Sequence, residues 1–366
     1  MKQKYWIAFS SVEQISSNFI RTLYEYFGDI ERAFNCSKKD IEGINIEINT
    51  KNLEEFLRLR DKVNADKTFE EVESRGINIL TWDDERYPKM LREIYNPPMT
   101  LYYKGDLFSC NLDRTIAFVG SRRASANGKD SVKSIINDFR NTDICIVSGL
   151  AEGIDAASHR AALDNNLKTI GVIASGFDFQ YPASNKDLYA KIPKGFGAIV
   201  TEYYPTVEAI KFHFPQRNRI VTGLSYGTVV GEAALKSGAL ISANLTLEQG
   251  RELMCIPGSI NNKNTEGVYK LLKNGATMVI SGEDVLNALN WEITSSLHSS
   301  PEMRGSSFAS SLEHSSILEI ISIEPRGFDE IQTLTGMDTE ELLKTLTMME
   351  VEGLIEQTDG DRYKKA

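Results

Sequence analysis

Cysteine is scarce in this chain. Its four cysteines, Cys36, Cys110, Cys145 and Cys255, stand far apart without a C-x-x-C pair, which argues against a disulfide frame or a thiolate zinc site and points to reduced core thiols. Histidine is as rare, four residues with no H-E-x-x-H or similar cluster, so a structural metal is not expected. No run of roughly 18 apolar residues occurs, and no segment joins a basic end to an apolar block and a small-residue cleavage site. A cytoplasmic chain without a membrane partner is therefore expected. Two glycine fingerprints are also missing. G-x-G-x-x-G does not follow the first apolar strand, which offers only Gly120 and Gly128, and Gly128-Lys129 is followed by Asp130 where a P-loop needs Ser or Thr. Both absences disfavour NAD and P-loop nucleotides, and no cofactor is expected.

What the chain does have is a charge pattern. Its net charge of −10 over 366 residues is unfavourable for a polyanion partner, because phosphate binding rests on Lys and Arg. The charge is uneven, however: residues 114–258 hold 16 Lys and Arg against 13 Asp and Glu, a net of +3, which leaves −13 on the flanks. Any phosphate-binding site belongs in the middle.

The hydrophobic content of 41% suits a globular chain of two or three domains. Residues 1–65 read as a small module of short amphipathic helices ("SNFIRTLYEYFG", "DIERAFN", "SKKDIEGI", "TKNLEEFLRLRDKV"). A proline-broken aromatic stretch, 76–104, leads into the next domain, 66–290. There, "TIAFVG", "ICIVSG", "TIGVIAS", "AIVTE", "GTVVGEA", "LMCIPG" and "TMVI" alternate with helix-length segments. This predicts a doubly wound parallel α/β sheet, Rossmann-like, with ligands at the carboxyl ends of its strands. Residues 291–311 are serine-rich and read as a linker. Residues 312–366 give three helices and a hairpin turned at Asp359-Gly360, with Gly336 before the third helix, a winged-helix pattern.

Three turns at strand ends are candidates for holding anions. In "FVGSRRASANG", Gly120 allows close backbone approach, Ser121 offers a hydroxyl and Arg122 a planar fork. The helix starting near Ser125 points its N–H groups and dipole at the turn. "IVSGLAEGIDAASHRAAL" repeats the design with Ser148, Gly149 and Gly153, and Lys236-Ser237-Gly238 supplies a third turn. "KFHFPQRNRIVTGLS" interleaves Lys211, Arg217, Asn218 and Arg219 with Phe212, His213 and Phe214, the mixture in which phosphates are neutralised while bases stack. A core aromatic pair beside solvated charges would give the same string. Asp155 and His159, four apart on one helix, fit either a catalytic dyad or a positioning hydrogen bond. Glu202 and Glu232 fit either an acid pair or two strand-end caps.

Taken in order, "YPKMLREIYNPPMTLYYKG", "FVGSRRAS", "IVSGLAEGIDAASHRAAL", "SGFDFQYPASNKDL", "FPQRNRIVTGLS", "EAALKSGALISANLTLEQGR" and "CIPGSINNKNTEGVYKLLKNGA" resemble the bacterial DNA-processing protein A family (DprA, also called Smf). The resemblance covers residues 82–280. It implies a non-catalytic protein that binds single-stranded DNA on an extended Rossmann-like domain and helps load RecA recombinase during natural transformation. It further implies that Gly120, Ser121 and Arg122 hold a phosphate, that Lys211 and Phe214 neutralise and stack, and that Arg217, Asn218, Arg219, Lys236, Ser237 and Gly238 join them. A homodimer is implied as well. The N-terminal helices resemble the family's SAM or helix-hairpin-helix module, and the C-terminal winged helix is expected to contact protein rather than duplex DNA. The rival from another class is a Rossmann-like nucleotide phosphoribohydrolase, for which "GTVVGEA" is a partial echo of P-G-G-x-G-T-x-x-E.

Overall fold

Helix α1 (Gln3–Ser11) has no polar side at its centre: Trp6, Ile7, Ala8 and Phe9 are all fully buried. A helix covered all round must lie between layers. One side of α1 packs Phe9 among the aromatic rings of α2 (Ser17–Phe27), α3 (Ile30–Asn35) and α5 (Thr50–Arg60), where Phe9 meets Phe34 at 5.1 Å and Phe56 at 5.4 Å. The other side turns Ile7 toward Val72 of α6 (Ala65–Ser74) and toward Tyr102 and Tyr204. A short α4 (Lys38–Glu42) completes the helical module. Side-chain caps start these helices: Ser16 accepts from the Phe19 N–H, Asp29 from Arg32 and Asn64 from Lys67. Gly28, left-handed at φ 65°, ends α2.

This computed structural model describes residues 2–12, 15–42, 50–291, 317, 320–321, 325–351, 354–358 and 362–365. They fall in two compact units, Met1–Ser296 and Leu297–Ala366. In the first, the proline-rich lead-in folds into β1 (Asn78–Thr81), α7 (Lys89–Arg92) and β2 (Thr100–Gly105). The rest alternates as β3 (Thr115–Val119), α8 (Ala126–Asp138), β4 (Cys145–Ser148), α9 (Ile154–Asp164), β5 (Lys168–Val172), α10 (Lys186–Lys191), β6 (Gly197–Thr201), α11 (His213–Gly223), β7 (Gly227–Val230), α12 (Gly238–Glu248), β8 (Glu252–Cys255), α13 (Glu266–Lys273), β9 (Thr277–Met278) and α14 (Gly282–Ala288). All seven strands expected in this region form.

The nine strands make one sheet ordered β1-β2-β6-β5-β4-β3-β7-β8-β9, parallel from β6 through β9. Strand β2 joins β6 antiparallel and β1 joins β2 antiparallel, so the lead-in extends one edge of the sheet. From β3 the chain builds outward through β4, β5 and β6, then returns along α11 to start β7 on the other side of β3. The crevice between the loops after β3 and β7 is the topological switch point, where ligands of such sheets bind.

All four cysteines are buried as free thiols, and burial pushes Cys36 up to about 11 and Cys255 to about 12. Among the described residues no helix is long and apolar enough to cross a membrane.

The second unit has its own core of Ile331, Leu342, Leu346 and Ile355. Helix α15 (Phe328–Thr335) ends at left-handed Gly336 (φ 70°) and leads to α16 (Thr339–Val351). Strands β10 (Arg326–Gly327), β11 (Ile355–Thr358) and β12 (Arg362–Lys365) form an antiparallel sheet ordered β10-β12-β11, the wing expected from the sequence. The turn at Asp359-Gly360 and the serine-rich stretch 292–311 lie outside the described residues.

Because Phe9 sits between Phe34 and Phe56, Phe9→Ala is expected to lower stability by about 3–5 kcal/mol. Urea unfolding of the full chain measures it, and a loss below about 1 kcal/mol would mean that the helical module packs loosely.

Candidate nucleic-acid interface

The switch-point crevice is filled by a side chain of the protein itself. Glu232, two residues past the end of β7, is 3% exposed. Its carboxylate accepts from the Ser125 N–H at 2.9 Å, the Ser125 hydroxyl at 2.5 Å, the Asn262 amide at 3.0 Å and the Asn264 amide at 3.4 Å. Its carbonyl accepts the Ser121 N–H at 2.7 Å, tying the β3 loop to the β7 loop. Two glycines make the fit possible. A Cβ on Gly128 would lie 2.5 Å from the Glu232 carboxyl carbon, and one on Gly120 would lie 2.4 Å from Ile154 of α9.

The first turn is thereby already supplied with an anion. Ser125 caps α8 by accepting the Gly128 N–H at 3.0 Å, and the anion answering the positive end of that helix is Glu232. The α8 dipole is therefore not free for an external phosphate. Nor do Glu202 and Glu232 form an acid pair. They follow β6 and β7, four strands apart, about 19 Å at the usual strand spacing.

The second turn is closed in the same way. Ser148 and Gly149, expected to face a ligand, are both buried. The Ser148 hydroxyl donates to the Phe118 carbonyl at 2.6 Å. Gly149 lies beneath Arg217 and Asp155, and a Cβ there would come within 2.6 Å of both side chains. Arg217 is 4% exposed, and its guanidinium donates to the Gly149 and Val172 carbonyls at the ends of β4 and β5, with Nε on Asn218 at 3.2 Å. Helix α11 brings it there as it crosses from β6 to β7. Burial pulls the Arg217 guanidinium below its ordinary value and pushes the Asp155 carboxyl above its own, against the attraction of Arg217.

Arg219 is internal too. It makes two 2.6 Å bonds to the Glu202 carboxylate and one of 2.8 Å to the Asn96 carbonyl, with side chains only 12% and 15% exposed for Arg219 and Glu202. The two R-N-R arginines, expected as phosphate contacts, are thus internal fasteners in this fold. Asp155 and His159 also have separate partners. Asp155 accepts from the Ala151 N–H at 3.4 Å, while His159 Nδ1 meets the Thr169 hydroxyl at 2.7 Å. Burial, reinforced by the Arg217 charge, holds His159 down at about 3.

Outward from this closed layer stand the residues that remain available. Arg122 is exposed and forms no direct ion pair among the described residues, although its charge reaches the buried Asp155 carboxyl; its guanidinium lies 4.7 Å from the centre of the Phe214 ring. Tyr181, a residue outside the predicted set, meets Phe214 edge-on at 5.7 Å and is 53% exposed. Its only sequence signal is an aromatic before Pro182. Lys211 is exposed three residues before Phe214, again without a carboxylate partner among the described residues. Asn218 orients Arg217 from within α11.

Ser121 shapes the first turn, its hydroxyl accepting the Arg123 N–H at 3.1 Å and its carbonyl the Ile154 N–H at 3.2 Å. Arg123 is anchored through its carbonyl, which accepts from Asn264 at 2.9 Å, while its side chain is exposed. Lys236-Ser237-Gly238 stands at the same carboxyl end of the sheet, with Lys236 and Gly238 exposed and Ser237 capping α12. No hydrogen bond, ion pair or ring contact among the described residues joins that turn to the Arg122–Phe214–Tyr181 cluster.

Comparison with known proteins identifies two stretches of the chain. The family described as DNA recombination-mediator protein A matches residues 78–290, and the DprA winged helix domain matches residues 301–361. The DNA processing protein DprA of Streptococcus pneumoniae (strain ATCC BAA-255 / R6) is 45% identical over 203 residues, spanning 56% of this chain and 71% of that protein. The X-ray structure of DprA from Streptococcus pneumoniae aligns with a TM-score of 0.66 at 36% identity, covering 77% of this chain and 95% of that one. A Helicobacter pylori DNA processing protein A structure, described by its single-stranded DNA binding mode, aligns with a TM-score of 0.53 at 29% identity, covering 59% and 97%.

Glu232→Ala would leave the donors of Ser125, Asn262 and Asn264 without their acceptor, and a loss of about 3–5 kcal/mol is expected in urea unfolding. His159 sets a pH dependence. Its folded value near 3 lies below the ordinary 6.5, so between those values the unfolded chain binds a proton that the native state does not. Stability from this group should fall by about 1.4 kcal/mol per pH unit as pH drops below 6.5. In His159→Gln that component of the slope should vanish, and equal slopes in the two proteins would refute the assignment.

Proposed function

Because the chain belongs to the DNA recombination-mediator protein A family, we propose that it binds single-stranded DNA without reading its sequence. It acts in recombination as a non-catalytic mediator that delivers RecA recombinase to the strand during natural transformation. One observation carries the DNA-binding part: the Arg122 guanidinium on the Phe214 ring beside Tyr181, with Lys211, exposed and without a carboxylate partner among the described residues, three residues before that ring, at the carboxyl end of the sheet. A cation next to an available ring is what a strand needs, one for its phosphates and the other for its bases. The described binding mode of the Helicobacter pylori relative supports the same ligand.

In this reading Arg122, Lys211 and Phe214 touch the strand. Gly120 and Ser121 shape the first turn, and Arg217, Asn218 and Arg219 act behind the surface, holding α11 so that Phe214 faces the groove. Ser148 and Gly149 contribute by forming the floor. Lys236, Ser237 and Gly238 extend the phosphate track past the β7 loop.

Two copies pair through the far end of the sheet, where β9 is an edge strand and Ile260, Met278 and Ile280 are 81%, 59% and 69% exposed. The winged-helix unit serves protein contact, and the protein works in the cytoplasm.

The test is binding to poly-dT across a salt series. Arg122→Ala together with Lys211→Ala should weaken binding and reduce the salt slope by about 0.7 for each phosphate no longer neutralised. Unchanged affinity and slope would remove this groove. RecA delivery is tested by strand-exchange assays on DNA already coated with single-strand binding protein, where the same double variant should fail to stimulate RecA.

A further inference from the structure

Phe212 is 76% exposed and, among the described residues, meets no other ring. It is the residue just before α11, with helical backbone angles (φ −69°, ψ −29°), two residues before Phe214, and side chains so spaced along a helical turn do not share a face. Phe214 faces the Arg122 groove. Phe212 instead lines a separate cleft of about 810 Å³ between the end of α1, the start of α2, the loop after β6 and α11. That volume falls within the range of small-molecule sites, about 300–1,000 Å³.

We propose that this cleft receives bases of the same single strand, with Phe212 as a second stacking platform, so that the N-terminal helices form one wall of an extended DNA path. The inference rests on the single-stranded DNA reading above and goes beyond it in giving the helical module a part in binding.

Three observations fix the occupant. The first is continuity: Lys211, without a carboxylate partner among the described residues, stands directly before Phe212, where a backbone rounding the tip of α11 would pass. The second is a preformed aromatic surface inside. Tyr203 and His213 stack at 4.1 Å with 26° between their planes, His213 held by its Nδ1 contact to the Glu208 carbonyl at 3.1 Å. The third is charge. Glu202 is neutralised by two hydrogen bonds from Arg219, but Glu208 lines the cleft with no cation among the described residues. That carboxylate would repel an entering phosphate but not a neutral base. Bases therefore enter and the backbone stays outside on Lys211. Stacking suits every base, since each has a π-face, and the Ser11 hydroxyl, which donates to the Ala8 carbonyl at 2.8 Å, keeps its oxygen as an acceptor on the cleft wall.

The experiment uses the full chain with oligo-dT of about 6 and about 25 nucleotides, one spanning the groove alone and the other long enough to go on into the cleft. Phe212→Ala should weaken the long oligonucleotide about 5-fold or more and leave the short one and the salt slope unchanged. Photocrosslinking with 5-iododeoxyuridine in the long strand should mark Phe212, Tyr203 or His213. Wild-type binding of the long strand by Phe212→Ala, or adducts confined to Phe214 and Tyr181, overturns the inference while leaving the groove intact. If Arg122→Ala also binds as wild type, the groove reading itself fails and the cleft falls with it.

Discussion

The carboxylate of Glu232 closes the point where the sheet reverses direction, and the arrangement of the surface depends on that closure. Any doubly wound sheet leaves a crevice at its switch point, lined by main-chain N–H groups and one helix N-terminus. Here a buried carboxylate with four donors occupies it. An ion so deep is tolerable only when its oxygens are fully hydrogen-bonded. Gly120 and Gly128 are the cost in side chains that lets the loops and the helix come close enough. With the crevice closed, binding shifts outward to the residues that the turn projects, and Arg122 is the first of these.

The same logic runs through α11. This helix must carry the chain over the sheet from β6 to β7, and it is fastened at both ends of its polar stretch by arginines turned inward. Arg217 gathers the carbonyls ending β4 and β5, and Arg219 clasps Glu202. A planar guanidinium suits this work, since its fixed fork meets several acceptors at once. Lys211 and Phe212, in the turn that leads into the helix, are left to face solvent, and Phe214 at its start is half-exposed. A rigid helix presenting aromatic rings and a cation supports sequence-tolerant binding better than a mobile loop, because little ordering remains to be done on contact.

Much of the fold could be read directly from residue patterns. Short apolar runs separated by helix-length segments gave all seven parallel strands, because strands buried on both faces are apolar throughout and need no alternation. The winged helix was legible from Gly336 and the closing hairpin. Helix α1 leaves no such pattern, since "YWIAF" has no polar side and the 3.6-residue period disappears when a helix is covered all round. The antiparallel joining of β2 to β6 was equally hidden, because strand neighbours distant in sequence leave no local trace.

At the candidate site, residue type and spacing identified which segments gather at the carboxyl end of the sheet, and even which ones carry cations and rings. They could not say which cations face outward. Arg122 and Arg217 look alike in sequence, each beside a glycine-rich turn or an aromatic run, yet one is exposed on a ring and the other is nearly fully buried among carbonyls. Composition and periodicity determine the class of fold and the chemistry at hand, since both follow from burial averaged over each element. Whether a charged side chain binds a partner or holds the protein together depends on acceptors supplied by strands 45 and 68 residues away, and only tertiary packing brings those within reach.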